Sequence, residues 1–162
     1  MSSHINITGD TTRQAIDSLA GYAYQLYASA LAWLSLKDDE ELYLEVAEDY
    51  AIAAKESLTA VQVKKNKTPL TINNPGIIQA IQSYVELVEL NPSRSIYITY
   101  LSTASIGKDR NSSHQITGEG ALHYWSKVAK GADVKPLQML LQKVGISDKV
   151  KLFLLQLDEH NF

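Results

Sequence analysis

Between Glu41 and Lys65 the chain carries three short apolar-rich runs separated by only a few polar residues, and connections that short leave antiparallel pairing as the natural outcome. From Glu41 to Ala47 the residues alternate, with Leu42, Leu44 and Val46 facing one way and Tyr43 and Glu45 the other. Tyr50 to Ala54 reads as a second strand, and Lys55-Glu56-Ser57 as a hairpin turn. Leu58 to Lys65 reads as a third strand, with Thr59, Val61 and Val63 on one face and Ala60, Gln62 and Lys64 on the other. A small sheet of this kind needs helices to cover it.

Helical patterns stand on both sides of the meander. From about Thr12 to Leu36, Ile16, Leu19, Ala20, Ala23, Leu26, Tyr27, Ala30, Leu31 and Leu34 recur at steps of three and four and make one apolar stripe. Asp10 or Thr11 can cap its start. A second stripe holds Asp17, Gly21, Tyr24 and Gln25. A glycine inside a helix costs about 1 kcal/mol against alanine, so close backbone packing is expected at Gly21. After the meander, Asn74-Pro75 is a cap followed by proline at the first helical position. It predicts a helix from Pro75 to about Leu90, with Ile77, Ile78, Ile81, Val85 and Val88 as its apolar set. Ser95 to Thr103 is the most β-prone segment of the chain. Because a helix joins the third strand to this fourth one, the two are expected to be parallel neighbours. Gly107 to Gly120 reads as a polar, mobile loop. Ala121 to Lys130 and Pro136 to Val144 read as helices, and Val150 to Leu157 as strand or helix, which periodicity does not decide.

The expected fold class is therefore α/β, a small mixed β-sheet flanked by helices. It occupies one domain over residues 12–162 behind an N-terminal arm at 1–11. The apolar segment close to the end suggests the N-terminal part of a longer protein. A chain of 162 residues with a net charge of −3 is not built to coat nucleic acid non-specifically, although an acidic whole can carry a local basic groove. The absence of cysteine excludes disulfides and thiolate metal sites. No signal-peptide pattern opens the chain, and no apolar run approaches the roughly 20 residues of a membrane span. No membrane association and a cytoplasmic location are expected. His4, His114, His123 and His160 lack paired ligand spacing. Neither a Gly-x-Ser-x-Gly elbow nor a Walker A loop is present.

The chemistry concentrates in Glu45-Val-Ala-Glu48-Asp49 and Gln62-Val63-Lys64. Hydrolysis of a phosphodiester calls for a hard divalent cation, a water beside it and a positive group at the developing charge. Magnesium takes oxygen ligands, commonly one or two carboxylates with water and phosphate. Asp49 is the natural first ligand, Gln62 offers an amide oxygen and Val63 its carbonyl. Glu45 or Glu48 can add charge, Glu45 being the better placed because it alternates with the apolar face of its strand. Lys64 leaves the same face of its strand as Gln62, which puts its ammonium on the metal side. Each piece also has a plain reading. Glu45, Glu48 and Asp49 suit a solvated turn, Lys64, Lys65 and Lys67 a charged hairpin exit, and Tyr24 and Gln25 ordinary helix packing.

Taken together, Gly21-Tyr-Ala-Tyr24-Gln25, Glu45-Val-Ala-Glu-Asp49 and Val61-Gln-Val-Lys64 resemble the PD-(D/E)XK, or restriction-endonuclease-like, nucleases over about residues 12–105. The closer likeness is to the double-stranded DNA endonuclease effector domains of bacterial antiphage defence proteins. The resemblance implies a restriction-endonuclease-like core and a metal-dependent DNA endonuclease, with Mg²⁺ or Mn²⁺ as cofactor. Asp49, Gln62 and Lys64 would be its catalytic residues. Asp49, Gln62, Val63 and Glu45 would be its metal ligands, and Lys65, Lys67 and Gln25 candidate contacts to DNA. It also implies homo-oligomeric assembly and activation by an ATPase or nucleotide-sensing module in the same or a partner chain. The departure from the family pattern is Gln62, an amide where a carboxylate is usual. It leaves open a catalytically inactive DNA-binding or oligomerisation scaffold of the same fold, and beyond that an unrelated interaction domain.

Overall fold

The computed structural model describes residues 16–157. The N-terminal arm, the cap at Asp10 or Thr11, the side chain of Asp17, and His4 and His160 lie outside the described residues. The elements run α1 (Ile16–Leu34), β1 (Glu41–Leu44), β2 (Tyr50–Ala53), β3 (Ser57–Lys64), α2 (Pro75–Leu90), β4 (Ser95–Ser102), β5 (Gln115–Ile116), β6 (Glu119–Gly120), α3 (Ala121–Val128), α4 (Lys135–Leu141) and α5 (Asp148–Gln156). Four strands form one mixed sheet in the order β1-β2-β3-β4. The first three pair antiparallel and β4 runs parallel to β3, with Gln62 beside Tyr100 and Lys64 beside Ser102. No helix of the described residues is long and apolar enough to cross a membrane.

The elements follow from local chemistry. Asn74 caps α2 by accepting the Gly76 N–H at 3.0 Å, with Pro75 in the first turn. Gly76 then lets the helix start press onto β4, because a Cβ there would sit 2.5 Å from the Tyr100 hydroxyl. The segment that periodicity left undecided is helical. Ser147 caps α5 through Val150 N, and the buried Gln138 amide donates to the carbonyls of Leu154 and Leu157 near its far end, at 3.0 and 2.8 Å.

The sheet is covered on both faces. Ala51, Ala53, Leu58 and Ile96 pack with Leu87 and Val88 of α2. The other side of α2 joins α3, α4 and α5 around Ile72, Leu137, Leu141 and Val144. On the opposite face, Tyr24, Ala28 and Ala32 of α1 lie against Tyr50, Val61 and Val63.

Four expectations are corrected. β1 ends at Leu44, so Glu45 does not continue its alternation. The segment after Gly107 is pinned: it holds a short 3-10 turn, the β5–β6 hairpin and a fully buried Asp109. The large stripe of α1, which by its periodicity should face the core, points away from it: Leu19, Leu26, Tyr27, Leu31 and Leu34 are exposed. The narrower stripe with Tyr24 and Gln25 takes the sheet, because its small neighbours Ala28, Ser29 and Ala32 let the helix axis approach the strands. Gly21 is not a point of close approach; a Cβ there meets nothing within 4 Å among the described residues. Gly21→Ala should therefore raise stability by about 0.5–1 kcal/mol, read as a higher urea midpoint. A lower midpoint would mean that an undescribed neighbour fills that space.

Candidate active site

The pairing of β2 with β3 stops at Tyr50–Val61, while β3 runs on to Lys64 with β4 still at its other edge. In a strand the N–H and C=O of one residue point to the same side, so both polar groups of Val63 face the gap that β2 has left. Asp49, the residue just before β2, fills it. Its Oδ2 accepts the Val63 N–H at 2.6 Å, and its Oδ1 accepts from Gln25 Nε2 of α1 at 2.8 Å. The same Gln25 amide lies 3.5 Å from the Val63 carbonyl oxygen. From the opposite face of β3, Lys64 Nζ comes within 3.7 Å of Asp49 Oδ2. One carboxylate at the fork thus ties together α1, the hairpin and β3.

The approach to Asp49 is a strained loop. Glu45 and Glu48 both have left-handed backbones, with φ of 56° and 68°, and each costs a β-carbon-bearing residue about 1–2 kcal/mol. The Glu45 N–H donates to the Asp49 carbonyl at 3.3 Å and closes the loop. Strain of this kind collects at functional sites, where surrounding bonds hold it in place. Next to it, burial pushes the Tyr50 hydroxyl above the usual tyrosine range, with the nearby Tyr24 hydroxyl adding to the shift. That phenol stays neutral and is not a base at ordinary pH.

The predicted residues separate into groups. Asp49, the Val63 backbone and Lys64 come together. Gln25, a candidate contact to DNA, donates to Asp49 and orients it. Its spacing from Gly21 and Tyr24 marked a shared face, but nothing in the sequence pointed that face at residue 49. Glu45 is exposed in the loop, and among the described residues no three Asp, Glu, His or Cys side chains gather as metal ligands. Within the acidic run, Asp49 reaches β3 through its carboxylate. Lys65 and Lys67 lie exposed just beyond β3.

Gln62 is buried to 2 % exposure, and its Oε1 has no hydrogen-bond partner among the described residues. An unsatisfied buried acceptor costs about 1–3 kcal/mol. Gln62→Met keeps the length and removes the orphan. It is expected to raise stability by up to that amount, measured by thermal unfolding. A less stable variant would show that Oε1 is satisfied in solution.

The donors are oxygens of the type a hard cation takes. A carboxylate has about four acceptor positions, of which Val63, Gln25 and Lys64 occupy three. Asp49 thus keeps capacity for a cation, the Val63 carbonyl faces the same gap, and Gln62 Oε1 has its capacity unused on the Lys64 face of β3. One charged and two neutral oxygens, completed by water, are within what magnesium accepts. The chain matches no family model, no curated protein and no solved structure.

Proposed function

We propose that this chain is a metal-dependent DNA endonuclease domain with a restriction-endonuclease-like core. The observation that carries the reading is the convergence of Asp49, the Val63 backbone and Lys64 at the fork where β2 leaves β3. The sheet supports it, since an antiparallel meander joined through a helix to a parallel fourth strand, with helices on both faces, resembles that core.

Asp49, with Gln62 Oε1 and the Val63 carbonyl, would hold Mg²⁺ or Mn²⁺. Such an ion polarises the phosphate and lowers the pKa of a bound water. The rest of the work falls to side chains. Gln25 and the Val63 N–H fix the Asp49 carboxylate in one orientation, which places charge before substrate arrives. Lys64, whose side chain is 40 % exposed, can leave Asp49 for a phosphate oxygen and stabilise the negative charge that grows there. Lys65 and Lys67 would contact the DNA backbone without reading sequence. Activation by assembly, and a role in antiphage defence, are the biological setting that the family resemblance adds.

The amide of Gln62, which binds metal more weakly than a carboxylate, favours one alternative, a DNA-binding scaffold of the same fold without activity. Plasmid incubated with Mg²⁺ or Mn²⁺ and the chain, beside Asp49→Asn and Lys64→Ala, separates the readings. Cutting that disappears in both variants supports the enzyme. Binding without cutting supports the scaffold, and neither binding nor cutting removes both.

A further inference from the structure

We infer that the outward face of α1 is a self-association surface, on which a second copy of this chain lays its own α1 antiparallel. The observations behind it do not rest on the nuclease reading, whose family resemblance implies homo-oligomeric assembly without naming a surface. Seven large side chains of α1 stand in solvent: Leu19 at 64 %, Tyr22 at 57 %, Leu26 at 51 %, Tyr27 at 73 %, Leu31 at 66 %, Trp33 at 65 % and Leu34 at 76 % exposure. A helix apolar on every side is normally enclosed on every side. These side chains present roughly 1,000 Å² of mostly apolar surface, where a protomer in a standard interface contributes about 800 Å². Contiguous apolar patches beyond a few hundred Å² mark interaction sites.

Three observations choose the occupant. Leu19, Ala23, Leu26, Ala30 and Trp33 are all exposed and follow steps of four and three, the seam of a helix that packs on another helix. Large and small residues alternate along it. An antiparallel two-fold centred near residue 28 would set Leu26 against Ala30 of the other copy and Trp33 against Ala23, each large side chain over a small one. The face from Leu19 to Leu34 also carries no Asp, Glu, Lys or Arg, so self-pairing meets no like-charge penalty and the patch offers no charge to select a different partner. Finally, residues 1–15 and 158–162 contain only Met1, Ile5, Ile7 and Phe162 as large apolar side chains, too few to cover seven.

The test is sedimentation of the full 162-residue chain across micromolar concentrations. A dimer is expected, and Leu26→Glu or Ala30→Glu should raise its dissociation constant at least a hundredfold with unchanged circular dichroism. The chain has no cysteine of its own, which permits a second arm that does not depend on those variants folding. Leu26→Cys should join two copies through a short bis-maleimide, whereas Met139→Cys, at a more exposed position on α4, should not. A wild-type monomer throughout that range, a dimer indifferent to both charges, or equal cross-linking at the two cysteines would overturn the inference.

Discussion

Asp49→Ala is expected to lose at least a hundredfold in Mg²⁺-dependent cleavage and about 2–4 kcal/mol of stability. The first effect follows from removing the charged member of the proposed donor set, Asp49, beside which Gln62 Oε1 and the Val63 carbonyl are neutral. The second follows from the groups left behind. Val63 N–H and Gln25 Nε2 both donate to that carboxylate, and the left-handed residues Glu45 and Glu48 stand in the loop it anchors. The ion pair with Lys64 adds little, since a partly exposed pair at 3.7 Å is worth about 0–1 kcal/mol. Asp49→Asn separates the two effects. It keeps an acceptor for Val63 and most of the shape while discarding the charge, so stability should stay within about 1 kcal/mol of wild type while cutting disappears. Urea unfolding and plasmid cleavage on the same preparations measure both. An asparagine variant that still cuts sinks the catalytic role of Asp49, and an alanine variant as stable as wild type sinks the anchoring role.

The second large effect lies far from that site. Asp109→Ala is expected to cost about 3–5 kcal/mol, because it strands two buried N–H groups and removes the charge that satisfied them. Asp109 is 2 % exposed. Its Oδ1 accepts Ile72 N–H at 3.2 Å and its Oδ2 accepts Ala121 N–H at 3.0 Å. Ala121 opens α3, whose N-cap Gly120 has no side chain to offer, so Asp109 caps that helix from twelve residues upstream with a negative charge at its positive end. Gly120 is constrained by the same contact, since a Cβ there would lie 3.1 Å from Asp109 Oδ2. Asp109→Asn should recover part of the loss. A urea midpoint for Asp109→Ala close to wild type would mean that water replaces the carboxylate at both amides.

The contrast between these two aspartates shows what could be read from residue order. Asp49 was legible because its distance along the chain from Gln62 and Lys64 is bridged by one hairpin, and alternation places Gln62 and Lys64 on one face. Asp109 was not, because its partners at 72 and 121 belong to other segments, and a polar stretch rich in Gly, Ser and Asn looks the same whether pinned or mobile. Gln25 was half legible: its helix face could be assigned, its partner could not. Glu45 was misplaced because alternation was extended past Leu44 into a loop where two left-handed residues break the strand.

Sequence alone determined the identity and order of the main elements, the antiparallel meander, the capped helix at Asn74-Pro75, the parallel fourth strand, and the Gln-x-Lys placement on β3. These depend on local propensity, periodicity and short connections. Only the tertiary structure decided which stripe of α1 meets the sheet, that Gln25 and Val63 hold Asp49, that Gln62 is buried with an unmet acceptor, and that Asp109 pins α3. Periodicity reports which side chains share a face of a helix, but not which face finds a partner. For α1 the deciding quantity was size: the small residues let the helix settle onto the strands, and the large ones remained outside.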